Sequence, residues 1–209
     1  MEVPFHSQRN LGALGREPIY TGQTLTWPER SCAIACLTMV LQHFGHAVTM
    51  EDVLRAGLAN GGFDPGRGWL HSGQVAVLQS YGLAAYRRNW RLMDGREAEY
   101  LAGRELTPQT RREIALVKRG LLDEGAWAVR RLTREVPVIL SVYRPRGDTS
   151  SIGHQVVVLD ADLDRVTFHD PAQRAGAYTS QGADSFFANW KGTAIVAFQD
   201  AGKVNPNTG

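Results

Sequence analysis

Cys32 and Cys36 are the two cysteines of this 209-residue chain. Cys32 opens the stretch Cys32-Ala33-Ile34-Ala35-Cys36-Leu37-Thr38-Met39-Val40-Leu41, which reads as a nearly all-apolar helix. A thiolate at a helix N-terminus is stabilised by the free first-turn amides and the macrodipole, so Cys32 has the setting of a nucleophile active near neutral pH. Cys36, one turn deeper, gets little of that help and reads as a small core residue. The remaining chemistry lies far downstream, in His154 of Gly153-His154-Gln155 and Asp170 of His169-Asp170-Pro171. An imidazole beside a carboxylate is oriented and its charged form is favoured. It can take a thiol proton and return it to a leaving amine, so thiol, imidazole and carboxylate are the three parts of a nucleophile, its base and its orienter.

These side chains need elements to position them. Pro28 leads into the central helix, Ser31 is expected as its N-cap, and Gly45 is placed to take the left-handed conformation that closes it. Thr49 is expected to cap a helix over Met50 to Ala56, and Ser72 to start another that ends at Tyr81, followed by a short strand from Leu83 to Tyr86. Thr107-Pro108 signals a helix running through Ile114, Val117, Leu121 and Leu122 to Gly125, with a separate short helix from Trp127 to Leu132. The pattern then changes to strands at Val138 to Tyr143, His154 to Asp160, Arg165 to His169 and Thr193 to Phe198. Helices followed by consecutive, antiparallel strands are the signature of an α+β domain. A hairpin with its tip around Asp162 would pair Val158 with Val166, Val156 with Phe168 and His154 with Asp170. A slip pairing Leu159 with Val166 matches the apolar residues as well and stays open.

Composition narrows the classes. A hydrophobic content of 43% supports one substantial core, and 23 basic against 21 acidic residues give a net charge of +2, which argues for neither nucleic acid nor membrane as a partner. The arginines between Arg111 and Arg134 are interleaved with Glu113, Asp123, Glu124 and Glu135, as on a solvated helix face. No apolar run is long enough to span a bilayer and Met1-Glu2-Val3-Pro4 lacks a signal-peptide pattern, so the expected location is cytoplasmic. Neither Cys-x-x-Cys nor His-Glu-x-x-His occurs, so no metal and no cofactor are expected. The glycine-dense residues 60–68 lack the Lys-Ser/Thr end of a phosphate loop and read as a surface loop. His169 is expected to be exposed. Residues 1–200 read as one domain, with 89–135 as its helical part and a candidate insertion, and 201–209 as a frayed tail.

Val3-Pro4-Phe5-His6-Ser7-Gln8, the Cys32 helix with Leu37, Met39 and Leu41, Gly153-His154 and Asp170-Pro171 together resemble the bacteriocin-processing type of papain-like cysteine peptidases and their stand-alone relatives, in order and spacing from residue 3 to about 198. The resemblance implies a papain-like fold in which the central helix packs on a C-terminal antiparallel sheet. It implies Cys32 as nucleophile, His154 as general base, Asp170 as orienter and Gln8 as oxyanion donor, acting on a peptide or protein substrate. It also favours the register that pairs His154 with Asp170. Two features depart from the family. Ala33-Ile34 replaces Gly-Pro after the nucleophile, and the long link from Gln8 to Cys32 makes Gln23 a rival donor. A thiol-dependent acyltransferase or amidase and a catalytically silent peptide-binding module remain alternatives, and the sequence says nothing of oligomeric state.

Overall fold

The computed structural model describes residues 1–13, 15, 17, 19, 26–92, 100–143 and 153–199. Its helices are α1 (Trp27–Arg30), α2 (Cys32–His43), α3 (Met50–Ala59), α4 (His71–Ser80), α5 (Pro108–Leu132) and α6 (Ala183–Ala188). Strands β1 (Phe63–Asp64) and β2 (Gly68–Trp69) form a small hairpin. Strands β3 (Leu83–Asn89), β4 (Val138–Val142), β5 (His154–Ala161), β6 (Arg165–His169), β7 (Thr179–Gly182) and β8 (Trp190–Gln199) form one antiparallel sheet in the order β3-β8-β4-β5-β6-β7. This is the α+β architecture expected; the expected strand β3, from the helical half, joins the sheet beside the last strand, and β7 at the other edge and the β1–β2 hairpin are additions.

The sheet is covered on both faces, which explains why its central strands read as continuous apolar runs. Ile139, Val157, Leu159 and Ile195 pack with α2, α3 and α4, whereas Val138, Leu140, Val156, Val158 and Phe168 pack with Val129 of α5 and Phe186 of α6. Helix α2 is the centre of the first layer. Its residues Ala33 through Leu41 are all buried, and the hydroxyl of Thr38 is satisfied by donating to the Ile34 carbonyl at 2.8 Å. Truncating one of its fully buried leucines, such as Leu37, would cost about 2–5 kcal/mol.

Several local expectations hold. Gly45 has φ +85° and the amides of Gly45 and His46 bond back to Gln42 and Leu41, closing α2. Thr49 and Asp52 cap α3 reciprocally, although the helix continues three residues further, to Ala59. Thr107 caps α5 by accepting from the Thr110 amide at 3.1 Å.

Others are corrected. Ser31 is not a side-chain cap: its hydroxyl donates backward to the Trp27 carbonyl at 2.5 Å, because α1 runs almost directly into α2. Gly125 does not divide two helices, since α5 is continuous from Pro108 to Leu132. A Cβ there would lie 2.6 Å from the Trp190 ring and 2.8 Å from Trp90, so the glycine serves close packing against two indoles. Residues 60–68 contain a strand and most of a tight turn, with Asp64 Oδ1 accepting the Gly66 and Arg67 amides at 2.8 Å each. Val117 is half exposed although its spacing suggested a core stripe, because most of the first half of α5 is solvent-exposed and only Gly125, Ala126 and Val129 of the helix are buried.

The hairpin register also differs from both alternatives. Asp162 pairs with Arg165 around a Leu163-Asp164 tip, Ala161 with Val166 and Asp160 with Thr167. A bulge at Leu159 then shifts the ladder, so that Val158 pairs with Phe168 and Val157 with His169. His154 therefore pairs with no residue of β6, and Asp170 lies past the strand end. Among the described residues, no helix is long and apolar enough to cross a membrane.

Candidate active site

Four separate parts of the chain meet at Cys32. The α1–α2 joint places the thiol on the first turn of α2. Strand β5 brings His154 and the loop after β6 brings Asp170. The N-terminal segment straps the assembly together: the Gln8 amide donates to the Pro171 carbonyl at 2.8 Å, and the Val3 carbonyl accepts from His169 Nε2 at 2.9 Å.

His154 Nε2 donates to Asp170 Oδ1 at 2.7 Å, and both side chains are nearly inaccessible. The carboxylate is itself held. Oδ1 also accepts the Ala172 amide at 3.0 Å, and Oδ2 accepts from Gln173 Nε2 at 2.9 Å. The turn is closed by the Asp170 amide, which donates to the Gly176 carbonyl at 2.8 Å. A Cβ on Gly176 would collide with the Asp170 carbonyl oxygen, so no larger residue fits without opening this turn.

With Nε2 committed to Asp170, Nδ1 is the ring nitrogen left free, and it makes no hydrogen bond of its own. Cys32 itself is only partly buried and opens on the cleft in front of α2. Burial acts to raise its pKa, but the hydrogen bond and charge of His154 and the amides of Gln155 and Ala33 bring it below the ordinary thiol value. Burial likewise acts to lower the pKa of His154. Hydrogen bonds to Asp170 and Cys32, with the charges of both, outweigh it and push the imidazole up to about 9. Asp170 shows the same competition: burial raises it, and His154, Gln173 and the Ala172 amide bring it below its usual range. All three shifts run toward the charged forms, thiolate, imidazolium and carboxylate, against the pull of burial. Cys36 contrasts with Cys32. It is wholly buried, and desolvation with the charges of Cys32 and Asp170 drives its thiol well above the ordinary value.

Gln8 is buried between this loop and α1. Its Nε2 donates to the Pro28 carbonyl at 2.6 Å, which leaves its second amide hydrogen uncommitted and its oxygen without a partner. It is not among the residues lining the cleft, and Gln23 lies outside the described residues. His169 is fully buried, correcting the expectation of exposure. Residues 3–8 pass over it, and its Nδ1 accepts the Tyr178 amide at 3.0 Å. Among the described residues no group of His, Cys, Asp and Glu is arranged to hold a metal ion.

The same cleft is lined by polar residues that no sequence motif marked. His71 of α4 and Ser141 of β4 are hydrogen-bonded at 2.7 Å there, with Gln155 Nε2 donating to Ser141 Oγ at 3.4 Å. Gln155 adjoins His154 on β5, and simple strand alternation puts it on the face opposite His154.

The model of the Peptidase_C39 like family matches residues 1–198. No curated protein matches the sequence. Among solved structures, the peptidase domain of Streptococcus ComA, a bi-functional ABC transporter involved in quorum sensing, aligns with TM-score 0.51 and 17% identity, over 82% of this chain and 93% of that one. A C39-like peptidase from Bacillus anthracis aligns with TM-score 0.51 and 17% identity over 95% and 96%. A double glycine motif protease from an AMS/PCAT transporter, in complex with its leader peptide, gives 0.50 and 15% over 95% and 93%.

Proposed function

Because this chain belongs to the Peptidase_C39 like family and is a cysteine peptidase, we propose that it cleaves peptide bonds through Cys32, His154 and Asp170. The observation that carries this is the His154–Asp170 hydrogen bond at 2.7 Å beside a partly exposed thiol, Cys32, whose pKa His154 helps to lower. Sulfur attacks the substrate carbonyl as thiolate. The imidazolium then protonates the departing amine, and the neutral ring activates the water that hydrolyses the thioester. Negative charge on the tetrahedral oxygen needs preorganised donors. The first-turn amides of α2 are available, and the uncommitted hydrogen of the Gln8 amide is the side-chain candidate. Ala33 and Ile34 are both buried in α2, so the residues that depart from the family pattern continue the helix. The substrate is a peptide or an exposed segment of a protein, and residues 1–200 act as one peptidase unit in which the helical part, 89–135, is an insertion.

Alkylation tests the assignment. Cys32→Ala should abolish both peptide hydrolysis and iodoacetamide labelling at neutral pH, and Cys36→Ala should retain both. Labelling of the two thiols at equal rates, or hydrolysis by Cys32→Ala, would refute it.

A further inference from the structure

Positive charge gathers in the cleft of about 250 Å³ in front of Cys32. Arg30 at the end of α1, Arg67 in the β1–β2 turn, Arg91 beyond β3 and Lys191 in β8 all line it. Among the described lining residues the one carboxylate is Glu29, and it is engaged in capping α1, accepting from the Thr26 amide at 2.8 Å. None of the four cations has a carboxylate within ion-pairing distance among the described residues.

The cations are also crowded. Arg91 Nε donates to the Lys191 carbonyl at 2.7 Å, and Lys191 is held below its ordinary pKa by burial and then by the charge of Arg91. His71 in the same cleft is pushed down to about 4 by burial and then by Arg87, Arg91 and Lys191, so it is neutral at pH 7. The charge of Cys32 also acts on Lys191, in the opposite direction. Like charges brought together from four segments repel one another, and an anion among them would relieve that repulsion. Trp69, Gln74 and Gln155 complete the polar lining, each with one buried polar atom that has no hydrogen-bond partner.

We propose that this cleft selects peptides carrying a carboxylate close to the cleaved bond, with Arg67, Arg91 and Lys191 as the recognising cations. The carboxylate comes from an acidic side chain or from a free C-terminus. The proposal deepens the peptidase reading of Cys32 and rests on it.

The experiment uses octapeptide pools in which each position in turn is fixed as Glu or Gln, every pool being made with a free or an amidated C-terminus. Binding is measured by fluorescence anisotropy on the Cys32→Ala protein, and hydrolysis on the unmodified protein. At least one Glu pool, or the free-acid series, should bind about tenfold or more tighter than its neutral counterpart, on the scale of one charge-assisted hydrogen bond. The preference should weaken as salt is raised. Arg91→Gln/Lys191→Gln should shrink it to less than about threefold, with folding checked by circular dichroism. Arg67→Gln, at an exposed turn, should reduce it without disturbing the core. A preference confined to Glu pools identifies a side chain, and one confined to free acids identifies the chain terminus. Equal binding of charged and neutral pools, or a preference that survives in all the variants, overturns the proposal. Rapid hydrolysis without charge preference would overturn this selectivity and leave the peptidase standing. Charge-selective binding with no hydrolysis of any pool would do the reverse.

Discussion

Replacing Asp170 by Asn keeps the size of the side chain and removes its charge, and the magnitude of the effect can be worked from the structure. His154 rises from an ordinary 6.5 to about 9, with burial opposing the rise. At about 1.4 kcal/mol per unit, Asp170 and Cys32 together favour the imidazolium by about 3 kcal/mol net of that burial. If Asp170 supplies half, its loss shifts the balance between the ion pair and the neutral pair roughly tenfold. The alkaline limb of kcat/KM, where the imidazolium loses its proton near pH 9, should move down by about one unit. The thiolate should form at higher pH. The assay is the rate of Cys32 alkylation between about pH 4 and 10, followed by mass spectrometry in a Cys36→Ala background, beside the pH profile of hydrolysis. Superimposable profiles for the two proteins would show that Asp170 does not polarise the pair.

Other perturbations act through single contacts. Gly176→Ala should lower kcat/KM and destabilise the fold by about 1–3 kcal/mol in urea unfolding, because its Cβ would displace the Asp170 carbonyl; unchanged kinetics would mean that the turn does not set the carboxylate. Gln8→Ala should reduce kcat by about 10²–10³-fold with KM little altered if its amide serves the oxyanion, whereas a loss confined to stability would assign it to strapping alone. Gly125→Ala should lower stability by about 1–3 kcal/mol, read by tryptophan fluorescence during denaturation, since two indoles occupy the space. His71 is depressed to about 4 in the folded state, so the unfolded chain takes up the proton first and stability falls as pH drops from about 6.5 to about 4. A His71→Gln protein should show a smaller fall over that window, and an identical fall in both proteins would discard the linkage.

What the sequence determined is what is encoded over a turn or two. The apolar run of α2, its Gly45 exit, the Thr49 and Thr107 caps and the strands β4, β5, β6 and β8 depend on neighbours within a few residues, and all are present. The types and order of Cys32, His154 and Asp170 are equally visible, because a thiol at a helix start and a histidine at a strand end keep their chemical character whatever the register. Tertiary structure decided the rest. One extra residue at Leu159 displaces the hairpin ladder, and His154 meets Asp170 only because the turn closed at Gly176 folds the carboxylate back. Gly125 looks like a helix breaker until two tryptophans from other elements are packed against it. His169 is buried by a segment more than 160 residues away. The cationic wall draws one side chain from each of four distant segments, and charges that far apart in a nearly neutral chain become a field only when the fold sets them around one cleft.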